Sequence, residues 1–353
     1  MKYLIKLKPI ENFFFGGEKT FENKNEKGER ENYIVTSKDF PQQTTILGMI
    51  RKEIIRQKGL LKSNWNYNNK EMEKIKGLIG KGSFNINNTD QEFGIINKIS
   101  PVFLYSSKEN NFYIKMPKDQ NLKCENSTKK YIPFKAEKRV KSNFGQVLLP
   151  EEYNAKKGLS NQFISFDGKN IKEYKDIFSE DKRVGNKKNV ENELEKETLF
   201  KEISYRLNPK ICFCFTLDIR DNDFNLEDNI VYLGANKSAF KMEVEKTDID
   251  LIERIKIERN NDRVLLLGDT YIEDVSEYCQ FYVATTTDFR NRTTRYFLDK
   301  TKNKYTFNRI NTKYTFLEKG SVFYLKLEKK EEFKKKLEEK KNMRKIGYNI
   351  YLD

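Results

Sequence analysis

Histidine is absent from this 353-residue chain. Serine triads, cysteine–histidine pairs, HExxH zinc sites, histidine general bases and two-histidine iron sites are excluded together, because each depends on an imidazole. Cysteine is scarce: Cys124, Cys212, Cys214 and Cys279. No CxxC pair is among them, so a structural zinc site has no support and no metal or other cofactor is expected. Cys212 and Cys214 sit two apart in ICFCFTLDI, positions that share a strand face, and read as small buried groups. The phosphate-loop pattern GxxxxGK[ST] and the dinucleotide pattern GxGxxG are also missing. The nearest glycine cluster, FGG ending at Gly17, reads as a tight turn. Among 53 acids none stands in an apolar context that would shift its pKa, so no Asp/Glu active site is identifiable. No run approaches the roughly 18 apolar residues of a membrane helix, and the alternating start is unlike a signal peptide, so a cytoplasmic protein without membrane contact is expected.

What the chain has in excess is positive charge: 68 Lys and Arg against 53 Asp and Glu, a net +15. Such a surplus attracts phosphate backbones or other anionic surfaces. With 37% hydrophobic residues the chain is able to bury cores, and its length suits two domains. A change of texture near Thr247 places them at 1–246 and 247–353.

Tyr3, Ile5 and Leu7 alternate with lysines up to Pro9, the pattern of a half-buried first strand. Residues 22–32 are polar and read as a surface loop. Ile46, Met49, Ile50 and Ile54 recur at helical spacing from Thr44 to Lys58, with Thr44 or Thr45 as caps and Gly59 at the end. Residues 60–160 read as short strands, SPVFLYS and NFYIKMP among them, separated by long loops. VENELEKETLFKEISYRL is open between helix and strand, whereas ICFCFTLDI, apolar on both faces, reads as an interior strand. Beyond residue 247, strands are expected in DRVLLLGDTYI, YCQFYVATTT, SVFYLKLE and IGYNIYLD, with a solvated helix in EKKEEFKKKLEEKKN supported by Glu331–Lys335 and Glu332–Lys336 pairs. Strands interrupted by helices, with a last helix feeding a final strand, indicate an α+β class.

Cations interleaved with aromatics point to single-stranded RNA, since cations neutralise phosphates while rings stack on unpaired bases. From Phe281 to Phe316 there are eight basic residues, two acids and nine aromatics, and from Lys129 to Gly145 six basic residues and one acid. The first stretch fits an ordinary hairpin with rings inward equally well, and both readings stand. In EDKRVGNKKN, Arg183, Lys187 and Lys188 surround Gly185 in what reads as a turn able to grip a phosphate backbone. The start of the first helix offers free amides and Gln43, Thr44 and Thr45 as uncharged donors to RNA or a partner. The candidate RNA contacts are thus Gln43, Thr44, Thr45 and Arg51; Lys138, Arg139 and Lys141; Arg183, Gly185, Lys187 and Lys188; and Arg290, Arg292 and Arg295.

Several segments resemble, in order, the third-subunit family of the Cmr complex, the type III-B CRISPR effector, within the RAMP superfamily. They are LKPIENFFFGGEKTF (7–21), FPQQTTILGMIR (40–51), EDKRVGNKKN (180–189), ETLF (197–200), YLGANKSAF (232–240), KGSVFYLKLE (319–328) and KIGYNIYL (345–352). Two departures are plain: Gly16, Gly17 and Glu18 stand where the family usually has Arg-Asp before a glycine, and the glycine-rich C-terminal loop is reduced to Gly347. The resemblance implies two ferredoxin-like (RRM-type) domains with long inserted loops and hairpins. It also implies a non-catalytic role in antiviral defence: holding the 5′ tag of the CRISPR RNA, bridging the large polymerase-like subunit to the backbone filament subunit, and meeting target RNA indirectly. The equivalent Csm-complex subunit, a metal-dependent RNA nuclease and a stand-alone RNA-binding protein are the alternatives.

Overall fold

The leading alternation forms β1 (Lys2–Pro9), with Tyr3, Ile5 and Leu7 fully buried. The computed structural model describes residues 1–17, 19–24, 30–63, 67–121, 130–133, 138–142, 145–149, 156, 158–185, 199–234, 236–257, 261–299 and 304–353. After β1 come β2 (Lys19–Lys24), β3 (Arg30–Thr36), α1 (Gln43–Gln57), α2 (Asn69–Ile79), β4 (Ile96–Ile99), β5 (Phe103–Ser106) and β6 (Asn111–Lys115). The middle holds β7 (Lys138–Ser142), β8 (Gly145–Leu149), β9 (Phe163–Ser165), β10 (Ile171–Lys172), α3 (Tyr174–Ile177), β11 (Phe178–Gly185), β12 (Leu199–Leu207), β13 (Ile211–Ile219), β14 (Asn229–Leu233) and β15 (Ser238–Lys246). The last part holds β16 (Arg263–Leu266), β17 (Cys279–Val283), β18 (Thr286–Asp299), β19 (Lys304–Leu317), β20 (Val322–Leu325), α4 (Lys330–Glu338), α5 (Lys341–Lys345) and β21 (Tyr351–Leu352). The class is α+β, dominated by sheet.

The largest sheet runs β10-β9-β6-β5-β13-β1-β15-β14, with β4 pairing the far end of β13. Its centre, β5-β13-β1-β15, is antiparallel at every junction. Taken in chain order, those four strands lie fourth-first-third-second. The smaller sheet, β17-β20-β16-β21, repeats that order and is likewise antiparallel throughout. α1 covers one face of the large sheet: Ile46, Ile50 and Ile54, fully buried, pack with Tyr3, Phe213 and Phe240. On the opposite face Leu4, Phe103 and Cys214 meet Leu265, Val322 and Leu352 of the smaller sheet. The outer face of the smaller sheet carries Val264, Leu266, Phe323 and Leu325 under Phe333 and Leu337 of α4. A parallel β3–β12 junction anchors a third sheet, β11-β12-β3-β2.

A buried polar cluster ties the loop after β6 to the smaller sheet. Asp119, fully buried, accepts from Arg263 Nε at 2.9 Å and Nη2 at 3.2 Å, from Tyr324 at 2.7 Å and from Tyr131 at 2.8 Å. Four donors satisfy the carboxylate, and in return it neutralises a guanidinium 4% exposed.

Several expectations are corrected. Part of the polar stretch 22–32 is strand, in β2 and β3; residues 25–29 lie outside the described residues. α2 escaped the periodicity because Ile75 is its one buried residue; an Asn68–Glu71 capping box marks its start instead. Neither Thr44 nor Thr45 caps α1, whose N-cap is Gln42 without a side-chain bond. The ambiguous charged segment is strand from Leu199 to Leu207, residues 186–198 lying outside the described residues. EDKRVG is the extended end of β11, not a turn. Gly185 is needed there for a packing reason: opposite Phe200, an added Cβ would come within 2.3 Å of that ring. The tail helix stops at Glu338 and is amphipathic, with Phe333 and Leu337 fully buried. Local ion pairs form at i,i+3, Lys334–Glu331 at 3.4 Å and Lys336–Glu339 at 3.1 Å, and Lys334 also reaches Asp353 at 2.9 Å.

Candidate nucleic-acid interface

The strongest basic feature is the β18–β19 ribbon, two 14-residue strands paired from Thr286–Leu317 to Asp299–Lys304. Directly opposed residues share a face, and successive residues alternate. One face therefore carries Arg290 opposite Lys313, Arg292 opposite Asn311, Thr294 opposite Arg309, and then Tyr296 opposite Phe307. Its acid is Asp288 at the base, paired with Lys313 at 3.0 Å. The other face is apolar near the base, where Phe289 and Phe316, 2% and 1% exposed, pack on Tyr348. Register moves Arg295 to that second face, opposite Asn308. The expected trio thus divides, and Arg309 and Lys313 join Arg290 and Arg292. One face of the ribbon is thus basic, and the other is apolar near the base.

The ribbon base meets the segment leading into α1. Lys38 Nζ donates to the Thr287 hydroxyl at 3.0 Å and to the Asp288 carbonyl, and Gln42 Nε2 lies 3.4 Å from the same carbonyl. Gln43 is turned inward instead: it is 6% exposed and its Nε2 donates to the Ser100 carbonyl at 3.3 Å. Gly347, at φ +92°, lets the C-terminal loop approach it, since a Cβ there would lie 2.5 Å from Gln43 Nε2. Thr44 and Thr45 are half-buried. Because Thr45 makes no cap bond, Thr45→Ala is expected to cost less than the roughly 1 kcal/mol of a lost N-cap, read from the thermal midpoint. Arg51 lies over the Phe93 ring, 5.3 Å from its centroid, and donates to the Gly82 carbonyl at 3.0 Å. Burial lowers its pKa to about 10. These two contacts hold it against Phe93 and Gly82.

The remaining candidates stand apart. Arg183 is exposed on β11 and pairs with Asp181 at 3.0 Å, with Val184 beside it 70% exposed. Lys187 and Lys188 lie outside the described residues. Lys138, Arg139 and Lys141 occupy β7, which with β8 forms a separate two-stranded sheet. Cys212 and Cys214 are buried, and burial raises both thiols, Cys212 to about 12, so neither is a nucleophile. Among the described residues no group of three Cys, Asp or Glu side chains is placed to hold a metal ion.

Below the ribbon base lies a cavity of about 290 Å³, lined by Lys38, Phe40, Gln42, Tyr174, Tyr205 and Lys319 among others. Lys115 bridges Asp39 at 3.0 Å and Glu318 at 2.6 Å, and Lys118 reaches Glu318 at 3.4 Å. Burial pushes Glu318 up, but the two lysines outweigh it and hold the carboxyl at about 2. Stability from this network is present above the ordinary glutamate pKa and is lost as pH falls toward 2. Burial lowers Lys319 to about 8. Sequence reasoning missed the whole cavity because its walls come from segments scattered between residues 37 and 319. One local signal existed: Lys115 follows three strand residues, Phe112, Tyr113 and Ile114, that are all buried, an unusual place for a lysine.

The family model described as CRISPR-associated protein (Cas_Cmr3) matches residues 5–352. No curated protein matches the sequence. Among solved structures, a chain of a type III-B Cmr-beta complex bound to cognate target RNA is 13% identical with a TM-score of 0.49, over 100% of this chain and 96% of that one. A chain of a Csm3–Csm4 subcomplex of the type III-A interference complex is 14% identical with a TM-score of 0.36, over 92% and 93%.

Proposed function

The chain belongs to the Cas_Cmr3 family of CRISPR-associated proteins, and on that footing we propose that it is a non-catalytic RNA-binding subunit of a type III-B effector complex. In this reading it holds the 5′ tag of the CRISPR RNA and bridges the large polymerase-like subunit to the backbone filament. The observation that carries RNA binding is the one-sided ribbon: Arg290, Arg292, Arg309 and Lys313 share a face that continues into Tyr296 and Phe307. Cations followed by rings suit a single strand, the former for phosphates and the latter for unstacked bases. Arg183, exposed on β11, is a further cation outside the ribbon. The repeated fourth-first-third-second strand order supports two ferredoxin-like modules at 1–246 and 247–353. Zero histidines and the missing phosphate loop support the non-catalytic role.

The test is the salt dependence of binding to labelled single-stranded RNA, by the full chain and by the assembled complex. Replacing Arg290, Arg292 and Arg309 together by alanine is expected to weaken binding and to flatten the slope of log affinity against log salt by about two units, at ~0.7 per lost contact to a single strand. Unchanged affinity and slope would remove the ribbon from the interface. The isolated chain is expected to leave RNA uncut with magnesium or manganese; turnover by the purified chain, abolished by one Asp or Glu substitution in it, would restore the nuclease reading.

A further inference from the structure

We propose that the cavity below the ribbon base binds one singly charged phosphodiester of an RNA strand, with Lys319 as the cation that receives it; this deepens the RNA-binding reading and rests on it.

The charges in and around the cavity are arranged for such a guest. Lys115 is held between Asp39 and Glu318, and Lys118 shares Glu318. Lys38 directs its protons to neutral acceptors, the Thr287 hydroxyl and the Asp288 carbonyl, while the Asp288 carboxylate is taken by Lys313. Asp269 accepts from the backbone amide of Lys319 at 3.1 Å. The Lys319 ammonium itself lies 3.5 Å from the centroid of the Phe40 ring and, among the described residues, has neither a hydrogen-bond acceptor nor an ion-pair partner. An ammonium carries three donors, and a ring face satisfies none of them as an oxygen would. Lys38, Lys115, Lys118 and Lys319 face Asp39, Asp269 and Glu318, which leaves one positive charge over. One phosphodiester carries one negative charge; a doubly charged phosphate would overfill the site.

Three further features agree. Gln42, the N-cap of the 15-residue α1, lines the cavity, and the first turn of α1 contains no acid, so the positive end of the helix dipole is uncompensated there. A volume of about 290 Å³, at the low end of small-ligand sites, admits a phosphate and part of its nucleoside but no folded segment, and the half-buried Tyr174 ring lines the wall. Finally, Thr287 at the ribbon base lines the cavity. Thr287 belongs to the face opposite Arg290, so the basic face meets the cavity across the edge of the ribbon at its base.

The experiment uses the full chain with labelled single-stranded RNA, and AMP as a free phosphate ester. Lys319→Met is expected to weaken RNA binding about tenfold and to flatten the salt slope by about 0.7, with the thermal midpoint preserved. Lys319→Arg is expected to keep the affinity. Raising the pH from about 7 to 9.5 is expected to weaken wild-type binding as Lys319 loses its proton, and to spare Lys319→Arg. Of the other groups facing Lys319, the carboxylates are Asp39, Asp269 and Glu318, the last held at about 2. Lys115 and the Tyr174 hydroxyl are raised away from this pH window, whereas burial lowers both Lys38 and Lys118 toward it. A Lys319→Met chain with wild-type affinity and slope overturns the cavity assignment, and loss of binding in the ribbon variant at the same time leaves the RNA reading standing. AMP binding that depends on Lys319 while RNA is indifferent to it would assign the cavity to a free phosphate ester and overturn the backbone assignment. Absence of RNA binding by the wild-type chain and complex overturns both readings.

Discussion

Replacing Asp119 by alanine is expected to lower the stability of the chain by about 3–5 kcal/mol, because it strands a buried guanidinium. Arg263 is 4% exposed and gives two hydrogen bonds to a carboxylate that is fully buried. Without that carboxylate the positive charge stays in a medium of low dielectric, and the Tyr324 and Tyr131 hydroxyls lose their acceptor as well. The measurement is the denaturant or thermal midpoint of the full chain. Its informative partner is Asp119→Leu combined with Arg263→Met, which removes both charges and keeps apolar volume. That double variant is expected to recover most of the loss, since a buried ion pair replaced by well-packed hydrophobes is often neutral. Equal damage from the single and the double change would show that the cluster acts through shape and not through charge.

Phe213→Ala is expected to cost a similar amount, about 3–5 kcal/mol, for a different reason. Phe213 is fully buried near the start of β13, where its ring lies 5.5 Å from both Phe13 and Phe40 and 5.8 Å from Phe15, centroid to centroid. Those neighbours belong to the β1 exit and the α1 approach, so the void cannot close without moving both. Val184→Ala, at a side chain 70% exposed, is the control and is expected to stay within about 0.5 kcal/mol of wild type. A small effect at Phe213 would mean that the surrounding rings collapse into the space.

The residues of β1, β13, β16 and β20 announce their strands because each carries its own contrast with solvent or its own unbroken apolar run. The same holds for α1, whose isoleucines mark a face that the sheet then buries. The missing imidazole and the missing phosphate loop, likewise, are properties of composition that no folding alters. α2 and the end of β11 were illegible for the converse reason: α2 buries one residue, and the extended state of Gly185 depends on a strand that resumes at Leu199. The ribbon was half legible. Its alternation and charge lie in the sequence, but which arginines share a face depends on the register between β18 and β19, and that moved Arg295 away from Arg290 and Arg292. Membership of the first helix likewise suggested Gln43 and Arg51 as surface donors, whereas packing against Ser100 and Phe93 turned them inward.

By itself, then, the sequence determined the α+β class, the apolar faces, the basic surplus and the chemistry that the chain lacks. All are sums over residues or patterns within one element. The tertiary structure decided the strand order of the two sheets, the side of the ribbon that carries charge, and the cavity in which Lys319 stands without an acceptor among the described residues. Those depend on pairings across tens to hundreds of residues, such as Lys115 with Glu318 and Asp119 with Arg263. Such partners are chosen by the packing of whole sheets, and a local window of sequence holds no trace of them.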